Sequence, residues 1–456
     1  MNIIIVGCGK VGYTLAGQLN GEGHDITIIE RSAERIQSVS GSLDVQLISG
    51  SGTSVRTLRE ANVEEADLLI AVTNQDEVNL LSCLIAGKTS HCRTVARVRN
   101  PEYFEEIAYI RQCMGTSLII NPEFSTAREI AHLIEVPSAM EIDSFAKGTV
   151  DLLKLEIPTG SVLDGMRVDE FSARFNRQAL ICIRQRGREV EIPNGATVLE
   201  QKDIIYIILP PRQIRSFCES VGLPVRPLRR VMIAGGSTIS FYLAKRLLRN
   251  GFSVTIIEKD YSRCEFLSDA LPEANIVYGD ATDYEMLLEE ELTGMDAFVA
   301  LTSLDEENVF LSLYANKMAP RCKKITKNNH LSLDDIVESL PVGSLVAPKD
   351  ITAEYISQYV RSLNNSHSSN VEAVYRLVGG QVEALEFRLN EQSAVTGKPL
   401  MDLRLKDNLL ICCILREGKI ITPGGRDTLE KGDTVVVVTT HRGLGNIREI
   451  LRNPPR

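Results

Sequence analysis

The sequence predicts an α/β fold in which two doubly wound parallel-sheet domains are each followed by a smaller α+β domain. Three observations support this prediction. Short apolar runs alternate with stretches of helical periodicity, which is typical of a parallel sheet with helices on both faces. A glycine-rich loop follows the first apolar run, and the whole pattern recurs in the second half of the 456-residue chain. A chain of this length is sufficient for about three or four ordinary domains.

The glycine-rich loop lies between a predicted strand and a predicted helix. Residues 2–6 (NIIIV) form a short β-branched apolar run, which indicates a buried strand. The loop Gly7–Gly12 (GCGKVG) follows at once, and residues 11–19 then carry apolar side chains at helical spacing. A second strand at residues 25–29 ends on Glu30. Strand, glycine loop, helix, strand and acid in this order are the dinucleotide-binding fingerprint of a Rossmann-like domain.

The three glycines and the acid of this fingerprint have separate physical roles. Gly7 permits a tight turn, Gly9 lets a pyrophosphate approach the backbone, and Gly12 allows close packing of helix and strand. The helix N-terminus offers free N–H groups and a partial positive charge to phosphate. Glu30 can accept hydrogen bonds from both ribose hydroxyls, which disfavours NADP. The alternative is a turn that merely requires glycines.

Strand patterns divide each half of the chain into two parts. In the first part, strands are predicted at residues 2–6, 25–29, 45–48, 67–72, 94–98 and 117–120. In the second part, strands separated by turns are predicted at 149–157, 179–185, 189–192 and 203–209, and again at 382–389, 409–416, 419–421 and 433–438. The predicted domains are therefore 1–136 and 229–363, which are Rossmann-like, and 137–222 and 368–452, which are small α+β domains.

The two halves of the chain are copies of one another. Residues 25–30 (DITIIE) return as 253–258 (SVTIIE), and residues 67–73 (DLLIAVT) return as 296–302 (DAFVALT). Matching blocks that recur in the same order indicate a tandem duplication. A duplication excludes a dehydrogenase that combines one Rossmann domain with one unrelated catalytic domain.

Composition narrows the function classes. A net charge of −10 without a long basic run argues against nucleic acid as a partner. Ten cysteines without a C-x-x-C, together with only six histidines, predict no metal site. No apolar run approaches the roughly 20 residues that a bilayer requires, and the N-terminus lacks the features of a signal peptide. We therefore expect a cytoplasmic protein with reduced thiols.

The motifs favour a binding protein over an enzyme. The patterns G-x-S-x-G, H-E-x-x-H and G-x-x-x-x-G-K-[ST] do not occur in the sequence. None of the six histidines is placed with an acid in a way that suggests a proton relay. We expect no catalytic residues, and two alternatives stay open, an NAD-dependent oxidoreductase and a ligand-free assembly scaffold.

Three segments carry a resemblance to a known family. Residues 6–12 (VGCGKVG), 71–79 (AVTNQDEVN) and 96–103 (ARVRNPEY) resemble the N-module of the RCK/KTN family, to which the peripheral subunits of bacterial Trk potassium uptake systems belong. The resemblance covers essentially the whole chain. It implies a homo-oligomeric ring, a tetramer, on the inner face of the cell membrane beneath a membrane-embedded potassium-translocating subunit of the TrkH/TrkG type. It further implies that NAD(H), ATP or ADP binds the N-modules and that the ring then gates potassium uptake.

The resemblance places the first nucleotide site on the glycine loop, the following acid and two later strand ends. Thr73 and Asn74 would lie beside the adenosine, and Arg97 would be a charged partner for phosphate. As alternatives, Thr73 and Asn74 cap the following helix, and Arg97 is a solvated or interface arginine. Asn79 is interpreted as a helix or interface residue. The cofactor-binding residues expected in this copy are Gly7, Cys8, Gly9, Lys10, Val11, Gly12, Glu30, Thr73, Asn74 and Arg97.

The second copy departs from the fingerprint. Ser237 and Ser240 replace two glycines, so that Ser237 is expected to crowd the pyrophosphate and Ser240 to loosen helix–strand packing. Lys327 stands where the first copy has Arg97 and lacks the bidentate fork. A weakened site, a site for a smaller nucleotide and a purely structural copy all remain open. The corresponding residues are Gly235, Gly236, Ser237, Thr238, Ile239, Glu258 and Thr302.

Overall fold

The structure is a computed structural model that describes residues 1–135, 141–145, 150–175, 179–210, 213–222, 228–329, 340–364, 371–378, 380–389 and 393–452. The chain divides into two compact units. One unit contains Met1–Ala131 and Arg229–Ser357, and the other contains His132–Leu228 and Gln358–Arg456. The two Rossmann-like copies thus share one unit, and the two small α+β copies share the other. The predicted domain limits stay predictions, since 136–140, 223–227 and 365–370 lie outside the described residues.

The first Rossmann-like copy is a six-stranded parallel sheet in the order β3-β2-β1-β4-β5-β6. Because the strand order reverses between β1 and β4, a crevice forms at the carboxyl ends of these strands. The strands are β1 Asn2–Val6, β2 Asp25–Glu30, β3 Gln46–Ser49, β4 Leu68–Ala71, β5 Arg93–Arg97 and β6 Leu118–Ile120. The helices are α1 Lys10–Gly21, α2 Ala33–Ser40, α3 Val55–Glu60, α4 Asp76–Thr89, α5 Pro101–Glu105, α6 Ile107–Met114 and α7 Pro122–Glu135.

The first α+β copy is a five-stranded antiparallel sheet in the order β10-β9-β11-β8-β7. The sequence patterns missed its first strand, β7, because the run Glu141–Phe145 (EIDSF) is short and rich in acids. The strands are β7 Glu141–Phe145, β8 Val150–Glu156, β9 Leu180–Arg186, β10 Glu189–Glu191 and β11 Ile204–Leu209. The helices are α8 Val168–Arg174 and α9 Ile214–Ser220.

The second half repeats both architectures. Its parallel sheet has the order β14-β13-β12-β15-β16-β17, and its antiparallel sheet has the order β18-β19-β22-β20-β21. The strands are β12 Arg230–Ala234, β13 Ser253–Glu258, β14 Asn275–Tyr278, β15 Ala297–Ala300, β16 Lys323–Lys327, β17 Ser344–Val346, β18 Val371–Leu377, β19 Val382–Arg388, β20 Leu409–Arg416, β21 Lys419–Ile421 and β22 Thr434–Thr439. The α-helices are α10 Thr238–Arg249, α11 Tyr261–Ala270, α12 Tyr284–Glu289, α13 Asp305–Met318 and α14 Pro348–Asn364. Short 3₁₀ turns occupy Leu292–Gly294, Leu400–Asp402 and Ile447–Ile450.

The two α+β copies share an apolar core within their unit. One cluster of buried side chains draws on both antiparallel sheets, including Cys182 and Ile208 from the first copy and Cys412 and Val436 from the second. Each copy also contains one buried aspartate that is held by an arginine. The Asp203 carboxylate accepts hydrogen bonds from Nε and Nη2 of Arg186 at 2.7 and 2.9 Å.

In the part of the chain that the structure describes, no helix combines the length and the apolar character needed to cross a bilayer.

Candidate functional site

The first glycine loop has the geometry that an anion site requires. Gly7 adopts a φ of +98°, which favours glycine, and a Cβ on Gly12 would press against the Gly7 carbonyl oxygen. In the part of the chain that the structure describes, a Cβ on Gly9 would meet no atom within 4 Å. Gly9 is also the N-cap of α1, and no side chain among the described residues makes a capping hydrogen bond there. The N–H groups at the start of α1 are therefore free to bind an anion at the open side of Gly9.

The Glu30 carboxylate holds the glycine loop in place. Its Oε2 accepts a hydrogen bond from the Cys8 N–H at 2.8 Å, and its Oε1 accepts from the N–H groups of Arg31 at 2.7 Å and Ser32 at 3.0 Å. Burial raises the pKa of the Glu30 carboxyl, but the Ser32, Cys8 and Arg31 N–H groups outweigh it and leave the pKa below its ordinary value. The sequence predicted a ribose contact for Glu30, and the structure adds a loop-fixing role.

A buried asparagine joins the ends of β4 and β5. The Asn79 Oδ1 accepts hydrogen bonds from the Thr73 N–H at 2.8 Å and the Thr73 hydroxyl at 2.7 Å. Its Nδ2 donates to the Thr73 and Arg97 carbonyl oxygens at 3.1 and 2.9 Å. Gln75 is the N-cap of α4, and the Thr73 hydroxyl accepts a hydrogen bond from the Gln75 N–H at 3.3 Å, so Thr73 contacts the start of this helix as well. Asn79 fixes two predicted site residues relative to each other.

A partly satisfied charge cluster lies at the end of β5. Arg97 Nη2 is 3.4 Å from Glu123 Oε1, and Arg99 Nε is 2.7 Å from the same oxygen. The Arg97 side chain is only 15% exposed, and its burial lowers the pKa of its guanidinium. Arg97 Nε and Glu123 Oε2 are buried without a hydrogen-bond partner among the described residues. The alternative of a solvated Arg97 is therefore wrong. Sequence reasoning missed Arg99 and Glu123, although Arg99 follows Arg97 by two residues.

The second glycine loop is closed by its own side chains. The Ser237 Oγ accepts a hydrogen bond from the Ser240 N–H at 3.3 Å, and Ser237 is the N-cap of α10. The expectation that Ser240 loosens helix–strand packing is wrong, because its hydroxyl donates to the Gly235 carbonyl at 2.5 Å and the residue is fully buried. Arg263 Nε donates to the Gly236 carbonyl at 2.6 Å.

The remaining predicted residues of the second copy repeat the first. The Glu258 Oε2 accepts from the Gly236 N–H at 2.6 Å, as Glu30 does in the first copy. Asn308 accepts from the Thr302 N–H at 2.8 Å and donates to the Lys327 carbonyl at 3.2 Å. The Lys327 ammonium donates to the Thr302 carbonyl. Burial lowers the pKa of Lys327, and Lys10 of the first copy adds to that effect.

Both glycine loops open onto one cavity of about 880 Å³ within the unit that the two Rossmann-like copies share. Nine lysines and arginines and six acids line it, so the lining carries an excess of positive charge in a chain whose net charge is −10. An anionic ligand fits this charge. The predicted residues in the lining are Gly7, Gly9, Lys10, Val11, Glu30, Thr73, Asn74, Arg97, Gly235, Gly236, Ser237, Thr238, Ile239, Glu258 and Thr302.

Two predicted residues do not line the cavity. Cys8 is buried beside Glu30, and burial raises the pKa of its thiol to about 11. Gly12 is buried against Gly7. Gly12 thus has the packing role that the sequence predicts, and a direct ligand contact by either residue stays a prediction. Cys8 acts through its backbone N–H, and Gly12 acts by leaving space.

Two family models each match the chain twice, once in each half. The TrkA-N domain model matches residues 3–122 and 231–348, and the TrkA-C domain model matches residues 152–222 and 384–452. A Trk system potassium uptake protein TrkA homolog of Archaeoglobus fulgidus is 35% identical over 454 residues, which cover 99% of this chain and 100% of the relative.

Two solved structures share the fold. The GsuK RCK domain matches with a TM-score of 0.63 and 16% identity over 96% of this chain and 92% of that one. The GsuK channel bound to NAD matches with a TM-score of 0.62 and 17% identity over 96% of this chain and 76% of that one. The predicted fold class, with two Rossmann-like sheets and two small α+β domains, is confirmed.

Proposed function

The chain belongs to the family of the Trk system potassium uptake protein TrkA, and we propose that it is a cytosolic subunit that regulates potassium uptake in response to a nucleotide. The observation that carries the proposal is the cavity, whose lining combines a glycine loop at an uncapped helix start with the largely buried Arg97 and the more exposed Arg99. Backbone N–H groups and guanidinium groups are the donors that phosphate requires.

The ligand that we propose is NAD(H), ATP or ADP, bound to the first copy. The Gly7–Val11 loop would hold phosphate, Glu30 would meet the ribose, and Arg97 would reach a further phosphate. Two structures of GsuK, one bound to NAD and the other bound to ADP, support both ligand classes. The second loop would bind more weakly, because Ser237 and Arg263 already occupy polar groups of that loop.

Regulation requires a membrane partner and two states of the assembly. We propose that the chain forms a homo-oligomeric ring, a tetramer, on the inner face of the membrane beneath a potassium-translocating subunit of the TrkH/TrkG type. A nucleotide shifts such a ring only by binding one state more tightly than the other. A binding role is favoured over an oxidoreductase or a ligand-free scaffold by the relatives, which are named as potassium uptake proteins.

Calorimetric titration of the full chain with NADH, NAD, ATP and ADP tests this proposal. We expect tight binding near one ligand per chain and loss of that binding in Gly9→Asp, which places a negative side chain at the phosphate position. The matched control is Ser237→Asp at the equivalent position of the second copy, which should leave the tight site intact. Two equal sites per chain would assign ligand to both loops, and no binding of any of the four would refute the proposal.

A second assay links binding to transport. Cells that take up potassium only through this system should lose the nucleotide response when they carry Gly9→Asp and keep it when they carry Ser237→Asp. An unchanged response in Gly9→Asp cells would contradict the proposed regulation even if the purified chain binds nucleotide.

A further inference from the structure

One side chain of the second Rossmann-like copy is inserted beside the first site. Tyr242 lies on α10, is 9% exposed, and accepts a hydrogen bond through its hydroxyl from Asn121 Nδ2 at 3.1 Å. Its ring packs edge-on against Phe124, with the ring centroids 5.5 Å apart, and against Phe104 at 6.1 Å. The contact therefore combines a hydrogen bond with an aromatic cluster, and both connect α10 to the start of α7.

The same turn of α7 also holds the charge cluster of the first site. Asn121 Oδ1 accepts a hydrogen bond from the Phe124 N–H at 2.8 Å, which closes the turn. Glu123 lies between these two residues, and its Oε1 forms ion pairs with Arg99 and Arg97. One turn thus presents Asn121 and Phe124 to Tyr242 and presents Glu123 to the arginines.

A phosphate group in the first site would compete with Glu123 for these arginines. Glu123 Oε2 already lacks a partner among the described residues, and the carboxylate depends on Arg97 and Arg99. A buried carboxylate that loses its cationic partners is strongly destabilised. The turn would then move to bring Glu123 to water, and it would carry Asn121 and Phe124 with it.

We propose that Tyr242 is the positioning residue through which occupation of the first site acts on the second Rossmann-like copy. This inference rests on the proposed nucleotide binding at the first site. Movement of the α7 turn releases the Tyr242 hydroxyl and ring, and α10 responds along its length. Since α10 begins at Thr238, directly after the second glycine loop, the response reaches that loop as well.

The duplication does not repeat the Tyr242–Asn121 hydrogen bond. In the repeat, Thr14 stands at the position of Tyr242, and Ala347 stands at the position of Asn121. The alignment at the second position is supported by Thr126 and Thr352, whose hydroxyls donate to the prolines that begin α7 and α14 at 2.8 and 2.7 Å. Alanine has no side-chain amide to donate. The reverse contact therefore lacks the hydrogen bond equivalent to that of Tyr242, although Ser357 of α14 donates to Gln18 of α1 at 3.3 Å. Thr14 provides a matched control.

Hydrogen exchange of the full-length chain tests the inference with ATP as the probe. Ser237→Asp is present throughout, so that ATP cannot act on α10 through the second loop, and calorimetry measures ATP binding in each variant. We expect saturating ATP to accelerate amide exchange in residues 238–249 by about fivefold. Tyr242→Phe, which keeps the ring and loses the hydroxyl, should lose most of this change, and Thr14→Ala should keep it.

A second arm does not require a ligand. Glu123→Gln removes the negative charge that pairs with Arg97 and Arg99. In the absence of ATP, it should accelerate amide exchange in residues 238–249 when Tyr242 is intact and not when it is combined with Tyr242→Phe. An ATP response that persists in Tyr242→Phe would overturn the inference, provided that the variant binds ATP. Absence of ATP binding would contradict the proposed function and not this inference. In that case the ligand-free arm decides: if Glu123→Gln accelerates exchange in residues 238–249 equally with and without Tyr242→Phe, the inference is overturned.

Discussion

Replacement of Asn79 by alanine should reduce both the stability of its unit and the affinity of the first site. The side chain is fully buried and makes four hydrogen bonds of 2.7 to 3.1 Å, three to Thr73 and one to Arg97. A hydrogen bond of this kind contributes about 1 kcal/mol, and its loss leaves backbone groups without a partner. Because Thr73 is half-buried at the cavity and water can replace part of these bonds, we expect the free energy of unfolding to fall by about 3 kcal/mol.

The same substitution should weaken nucleotide binding at the first site by about tenfold. Asn79 holds the Thr73 loop and the Arg97 backbone in one arrangement. Without it, the nucleotide must order these segments when it binds, which lowers the binding free energy by about 1.4 kcal/mol. Asn308→Ala is the matched control, since Asn308 makes the equivalent bonds to Thr302 and Lys327. Urea denaturation measures stability, and calorimetry with ATP measures affinity.

The two asparagine variants separate structure from binding. Asn308→Ala should lower the free energy of unfolding to a similar extent and leave the affinity of the first site unchanged. Equal loss of affinity in both variants would refute the argument, because a general loss of stability would then explain the effect. A loss of stability below about 1 kcal/mol in Asn79→Ala would show that water replaces all four bonds.

Three further predictions concern the glycine loop, the acid beneath it and the α+β unit. Gly12→Ala should lower the free energy of unfolding by about 2 kcal/mol, since its Cβ meets the loop backbone, whereas Gly9→Ala should be near neutral in the same urea titration. Glu30→Gln should lower the free energy of unfolding at neutral pH, because the pKa of the Glu30 carboxyl is lowered in the folded state. The difference in unfolding free energy between the two chains should be complete above the ordinary pKa of 4.5 and disappear as the pH falls through the lower pKa of the folded state. Asp203→Ala should lower the free energy of unfolding by about 3 kcal/mol, because the carboxylate is 99% buried and binds Arg186 through both oxygens. The control Glu200→Ala should lower it by less than about 1 kcal/mol, because the Glu200 carboxylate is half exposed. A pH-independent effect of Glu30→Gln would show that the carboxylate charge does not hold the loop.

Local sequence patterns were most informative where local chemistry decides the structure. The run at residues 2–6 is a buried parallel strand because both of its faces are covered, and a continuous apolar run is the pattern that such burial requires. The same patterns missed β7 and, in the second half, β18 at Val371–Leu377. β7 has few apolar residues, and β18 follows a polar stretch that obscures its start. Their pairing with neighbouring strands, and not their own composition, makes them strands.

Residue types at short, regular spacings were sufficient to predict the duplication, the fold class and the first glycine fingerprint. Three features became visible only in the folded chain. Both loops open onto one cavity, Glu123 pairs with Arg97 and Arg99 of the first site, and Tyr242 of one copy contacts Asn121 of the other. These contacts join residues that are far apart in the chain. They depend on how two complete copies pack together, and no local periodicity contains that information.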